Sequence, residues 1–147
     1  MSELIVHGDH DVARFAAQRV PTTFNPDVDV CIHRVVDGEV TGAVLFSDYT
    51  GESIVVSVVG LKPRWCSRKF LQVAFDYPFN QLNVKRIFAK INETNLLSLS
   101  FTSKNGFKAV GYIPGVFRDN VAMVICKLER EDCRFLPREP LERAEHG

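Results

Sequence analysis

The stretch Ser53-Ile-Val-Val-Ser-Val-Val59 is apolar on both faces apart from Ser57, and it constrains the fold more than any other part of the chain. A strand of this kind must be covered on each side, so it predicts the centre of a sheet flanked by other layers. Gly60 ends the run. Val30–Val36 is rich in β-branched residues, Asp37-Gly38 is a hairpin signal, and residues 39–46 resume the β pattern, which predicts two antiparallel strands. Further strands are predicted over 84–91, 107–113 and 121–128. Val12, Phe15, Ala16 and Arg19 recur at helical spacing, so a first helix is predicted over 9–20, stopped by Pro21. Ser67 can cap a second helix whose apolar stripe is Phe70, Leu71, Ala74, Phe75 and Tyr77, with a kink at Pro78. Asn95 caps a third, which runs through Lys104 and closes at Gly106. The predicted order is helix, three strands, helix, strand, helix, two strands: an α+β fold around a mixed sheet.

At 147 residues the chain has the size of one domain, and 46% hydrophobic residues are enough for a sizeable core. Residues 1–129 are read as that domain. Residues 130–147, half of them charged and with Pro137 and Pro140 among them, are read as a C-terminal tail that is either mobile or laid on a partner. The four cysteines lack CxxC spacing and no histidine is placed to complete a zinc site, so no metal is expected. No apolar run approaches the roughly 20 residues needed to cross a bilayer, and the N-terminus lacks the pattern of a signal peptide. A soluble, cytoplasmic protein without a membrane partner is the expectation.

The formal charge is zero, with 18 basic and 18 acidic residues, but the distribution is uneven. Residues 1–61 carry nine acids and three bases; residues 62–90 carry seven bases and one acid; the remainder balances. Neutrality overall, and the lack of interleaved aromatics, argue against a nucleic-acid partner. The local excess falls on the loop and helix that follow the central strand, where Lys62, Arg64, Arg68 and Lys69 surround a predicted helix N-terminus. First-turn amides without intrahelical partners, beside several cations, make an anion site suited to a di- or triphosphate-like group. The alternative is a solvated basic loop. Trp65 can stack on a ligand ring or serve packing; Cys66 can be an activated thiol or an inert buried one. His33 reads as a packed strand residue or a base, and His7, His10 and His146 as solvated residues near the termini.

The segment Asn95-Leu-Leu-Ser98-Leu-Ser-Phe101-Thr-Ser-Lys104-Asn-Gly106-Phe107, one strand after the basic helix, resembles the late helix of the GNAT acetyltransferase superfamily. Members often read N-x-x-S/A, a short apolar stretch, then K-x-G-F. The resemblance spans about residues 30–128 and implies a single domain with splayed central strands that admit the pantetheine arm of acetyl-CoA as co-substrate. Val56 to Gly60, with Val58 and Val59 foremost, would line that arm. Arg64, Trp65, Cys66, Ser67, Arg68 and Lys69 would form the phosphate turn, and Asn95, Ser98 and Lys104 would complete the cofactor side. The chain departs from the family in two places. The turn usually reads Q/R-x-x-G-x-G/A, but Arg64 to Lys69 contains no glycine, and the usual tyrosine seven residues after the asparagine is Thr102. Glu52, Ser57 and Asp119 are the other candidates for the polar work of catalysis.

The implied activity is transfer of an acetyl group to a primary amine of a protein or small molecule. A second resemblance points elsewhere. Phe75-Asp-Tyr-Pro-Phe-Asn-Gln-Leu-Asn-Val and Glu129-Arg-Glu-Asp-Cys-Arg-Phe-Leu are similar to short GNAT-like proteins of tailed bacteriophages. That implies a catalytically degenerate structural or interaction protein, virion-associated or host-targeting, with residues 130–147 as a docking arm.

Overall fold

The computed structural model describes residues 2–8, 10–20, 24–136 and 145–146. Its strands are β1 (Glu3–His7), β2 (Val30–Val36), β3 (Glu39–Ser47), β4 (Ser53–Gly60), β5 (Arg86–Asn92), β6 (Lys108–Arg118), β7 (Val121–Glu129) and β8 (Glu145–His146). They form one sheet in the order β6-β7-β5-β4-β3-β2-β1-β8. Pairing is antiparallel except between β4 and β5 and between β1 and β8. The helices are α1 (His10–Ala17), α2 (Arg68–Asp76) and α3 (Leu96–Lys104). The expected α+β architecture with a mixed, mostly antiparallel sheet is therefore the observed one, and the run around Ser57 is a central strand.

Strand alternation sorts the core into two layers. Ile32, Val44, Phe46 and Val56 face α2 and bury its Phe70, Val73 and Phe75. Cys31, Ala43, Leu45 and Val59 face α1 and bury its Ala13 and Ala16. Phe46, Phe70 and Phe79 are almost wholly buried, each worth roughly 1.5–3 kcal/mol relative to exposure. Asp37 and Gly38 both take positive φ, +50° and +85°, as the two-residue β2–β3 hairpin requires. After α2 the chain makes a π-helical turn, Tyr77–Gln81, at the point where Pro78 removes a donor. Buried Asp76 accepts there from Asn80 Nδ2 at 2.8 Å and Gln81 Nε2 at 2.9 Å.

Two expectations need correction. The chain opens on strand β1, not on a helix, and β1 pairs with β2 from Glu3↔Val36 to His7↔Ile32. His7 is consequently buried rather than solvated, its ring edge-on to Tyr77 at 5.0 Å. The stripe expected on α1 is also rotated: small Ala13 and Ala16 lie flat on the sheet, while Phe15 is half exposed and stacks under the Arg19 guanidinium at 3.9 Å. Pro21 and Asp9 lie outside the described residues. At the other end, Phe135 stacks on Phe75 at 6.3 Å, and Arg130 donates to the carbonyl of Phe79 and, at 2.6 Å, to Asn80 Oδ1. Residues 130–136 thus rest on the domain's own core. No helix among the described residues is long and apolar enough to cross a membrane.

Candidate functional site

β4 and β5 run parallel and pair only at Ser53↔Arg86, Ile54↔Ile87 and Val55↔Phe88. Beyond Val55 they part. Over 56–60 the edge of β4 that faces β5 no longer pairs with it, and a cleft of about 410 Å³ opens between the strands. Its walls draw on both faces of the sheet. Val56, Val58 and Ala89 belong to the α2 side, whereas Ser57, Lys90 and Asn92 alternate onto the α1 side, so the cleft passes through the plane of the sheet. Of the helices that follow the two strands, α3 begins at the cleft, with Asn95 and Ser98 in its lining, whereas α2 contributes Leu71, Ala74 and Phe75 beyond its first turn. Arg64, Cys66, Ser67, Arg68 and Lys69 stand outside the lining, next to Trp65.

The cap of each helix is a side chain. Ser67 Oγ accepts from the amide of Phe70 at 3.0 Å, and Asn95 Oδ1 accepts from that of Ser98 at 3.1 Å. The amides of Arg68 and Lys69, in the first turn of α2, have no carbonyl within the helix to pair with and so remain available to an anion. The loop ahead of α2 is held from below by a network that the sequence did not reveal. Buried Arg34 of β2 pairs through Nε with the Glu3 carboxylate of β1 and through Nη1 with the carbonyl of Arg64 at 2.9 Å and Thr41 Oγ1 at 3.3 Å. Ser67 Oγ in turn donates to Glu3. Burial raises the Glu3 pKa, but the Ser67 and Arg34 hydrogen bonds and the guanidinium charge outweigh it and hold the carboxyl below its ordinary value.

Trp65 fixes the loop from the other side. A Cβ built on Gly60 would come within 2.7 Å of its indole, and one on Gly42 within 2.9 Å of its carbonyl oxygen. The indole therefore lies in a groove that only two glycines leave open, and it meets Phe101 of α3 at 5.0 Å and Phe70 at 6.5 Å. With the largest side chain of the turn directed inward, the cationic ones stay outside: Arg64, Arg68 and Lys69 are exposed, and the Arg68 guanidinium lies 5.8 Å from the Phe135 ring. The turn is thus open toward solvent despite having no glycine. Lys62 is exposed and pairs with Glu39 at 3.5 Å.

Of the residues singled out in the sequence, Ser57, Val58, Trp65, Asn95, Ser98 and Thr102 line the cleft together. Val59 packs against α1 instead. Lys104 is exposed in the last turn of α3, away from the lining. Glu52 is exposed ahead of β4, at the closed end of the strand pair, and bridges to Lys85 at 3.0 Å; Asp119 is exposed in the β6–β7 turn. Thr102 directs its hydroxyl at the carbonyls of Ser98 and Leu99, each at 3.0 Å, so its proton is engaged within its own helix. Burial pushes the Cys66 thiol up to about 11, against the activated reading, and its Sγ lies 3.7 Å from the Ser67 carbonyl. His33 is buried within β2. The sequence reading missed Arg19, Lys90, Asn92, Phe101 and Phe117, which also line the cleft.

No family model matches the sequence, and no curated protein does. Solved structures do match. Mutant forms of the spermidine/spermine N-acetyltransferase SpeG of Vibrio cholerae align over 88% of this chain and 94% of their own at a TM-score of 0.69 and 12% identity. The chain has the fold of the acetyltransferases. YncA of Salmonella typhimurium, a provisionally assigned acetyltransferase solved with its cofactor acetyl-CoA, covers 96% of this chain and 99% of its own, with a TM-score of 0.67 and 16% identity. A provisionally assigned acetyltransferase of the GNAT family from Desulfovibrio desulfuricans covers 87% and 99%, with a TM-score of 0.67 and 15% identity. The GNAT fold expected from residues 95–107 is thus present, splayed strands included.

Proposed function

We propose that this chain is an N-acetyltransferase that moves the acetyl group of acetyl-CoA to a primary amine. One observation carries it: a parallel strand pair that opens after Val55 into a cleft through the sheet, each strand followed by a helix with a side-chain N-cap, and with Trp65 of the basic turn in the cleft wall. The edge of β4 beyond Val55, where pairing with β5 has stopped, offers backbone donors and acceptors to the amides of a pantetheine arm, as in strand addition. The first-turn amides of α2, with Arg64, Arg68 and Lys69 around them, suit the phosphates. YncA, solved with acetyl-CoA, shares the fold at full length.

Acetyl-CoA would supply an activated thioester, so the protein's work is alignment and solvation. The amine nitrogen bonds to the acetyl carbon, the carbon–sulfur bond breaks, and the CoA thiolate leaves and takes a proton. Among the described residues the cleft lining holds no carboxylate, histidine, cysteine or tyrosine. Water therefore takes the proton from the ammonium, and the chain contributes proximity and a fixed strand edge beside the carbonyl. Isothermal titration with acetyl-CoA, followed by thiol release with an amine panel, tests this: micromolar binding is expected, and no binding at millimolar ligand would sink it.

The same lining, without carboxylate, histidine, cysteine or tyrosine among the described residues, and a turn without glycine favour a second reading, in which the fold is retained by a bacteriophage protein for attachment to a virion or host target. Of the 130–147 tail, the part beyond Leu136 would then dock on that partner, since residues 130–136 rest on the domain's core. Tight acetyl-CoA binding with no thiol release in any amine, together with co-purification with particles, would support it.

A further inference from the structure

The ionisable side chains that line the cleft, among the described residues, are Arg19 and Lys90, and both are cations. Neither belongs to the turn that suits phosphates. Lys90 alternates with Ala89 and Ile91 on β5, so it stands on the face opposite α2, and Arg19 follows the C-terminal end of α1, which packs on that same face. Gln18, Ser57 and Asn92 share this side. The lining therefore carries neutral polar groups at the start of α3, Asn95 and Ser98, and its basic groups on the side of α1.

Direct transfer requires the amine to reach the thioester from the side that the cofactor does not occupy. Given the acetyl transfer proposed above, on which this rests, we infer that the acceptor is a small amine carrying an anionic group, with Lys90 and Arg19 holding the anion and Ser57 and Asn92 the neutral polar atoms. The nearest negative charge to Lys90 is Asp48 Oδ2, 3.6 Å from Nζ. That carboxylate is 65% exposed, so the pair is weak and yields to a ligand anion entering from the cleft. Arg19 donates one nitrogen to the carbonyl of Phe15 at 3.1 Å and lies over its ring, so it stands at the border between the cleft and a neighbouring hollow lined by Phe15, Gly60 and Lys62, with its other donors left for a carboxylate or phosphate; Lys90 is the cation that belongs to the cleft alone. A polyamine acceptor needs carboxylates around its second ammonium. The lining provides none, and two cations there repel it.

The test uses the full chain and compares, in thiol-release assays, glutamate and O-phosphoserine with glycinamide, putrescine and spermidine, and adds a short peptide with an acidic N-terminus as a separate arm. The anionic amines are expected to give the highest kcat/KM, and the peptide arm shows whether the anion must be free or can be protein-borne. Lys90→Gln and Arg19→Gln should each raise KM for the best anionic amine by about tenfold with kcat little changed. Lys90→Glu should move the preference toward putrescine, a reversal that mere loss of packing would not produce. Acetyl-CoA binding is measured alongside by calorimetry. If acetyl-CoA binds and the uncharged or cationic amines match the anionic ones, or if no anionic amine raises thiol release, the acceptor assignment is overturned while cofactor binding stands. If acetyl-CoA does not bind, both fall together.

Discussion

At Gly42 and Gly60 a single added carbon would collide with Trp65, and the two collisions differ in kind. The Cβ of Gly60→Ala meets the five-membered ring of the indole at 2.7 Å and would push a side chain out of its groove, whereas that of Gly42→Ala meets the backbone oxygen of Trp65 at 2.9 Å and the indole at 3.0 Å and can be relieved only by moving the loop. Overpacking of this sort costs roughly 1–3 kcal/mol. Gly42→Ala should therefore be the more destabilising in thermal unfolding, and it should weaken acetyl-CoA binding as well because the anion turn shifts with Trp65. Glu3 supports the same turn through charge. Its pKa is lowered in the folded protein, so its ionised form contributes stability above its unfolded pKa, and that contribution is lost as pH falls through the folded-state value. Unfolding midpoints measured across the acid range should fall more steeply for the wild type than for Glu3→Gln, which has no carboxyl to protonate.

Among the elements, what could be read in advance was what short-range chemistry decides. The Asp37-Gly38 hairpin, the Ser67 and Asn95 caps and the positive φ of Gly106 all rest on neighbours within a few residues. The splay of β4 and β5 was legible only through the resemblance of residues 95–107, since nothing within Ser53-Ile-Val-Val-Ser-Val-Val59 says where pairing stops. Strand β1 was missed because five residues at a chain end carry too little pattern, and its role comes from partners far away: Glu3 meets Arg34 and Ser67 across separations of 31 and 64 residues. Lys90 was passed over for a related reason. Its position in an alternating strand marks it as off the α2 face, but not as facing a cleft. The caps lend themselves to a paired test. Asn95→Ala should cost about 1 kcal/mol in denaturation, the usual value for a lost N-cap, and Ser67→Ala more, because it also removes a hydrogen bond to a carboxylate.

Over the whole molecule the charges cancel, so long-range attraction of an anionic ligand depends on where the cations sit rather than on their sum. The exposed bases Arg64, Arg68 and Lys69 gather around the start of α2, next to the cleft residue Trp65, and screening acts on a length of about 10 Å at 0.1 M salt. Acetyl-CoA affinity should drop as salt is raised, and calorimetry at low and high ionic strength should show a steeper dependence for the wild type than for Arg68→Gln. The sheet also leaves one long edge, β6, with Val110, Tyr112 and Val116 exposed along it.

The chain contains one tryptophan, and it is the wall residue Trp65, seated on two glycines and touching Phe101 across the cleft. Every photon of indole fluorescence from this protein consequently originates beside the cleft between β4 and β5. The molecule thus carries its own optical probe: quenching or a spectral shift on titration with acetyl-CoA would report occupancy of the cleft directly, without label or coupled assay.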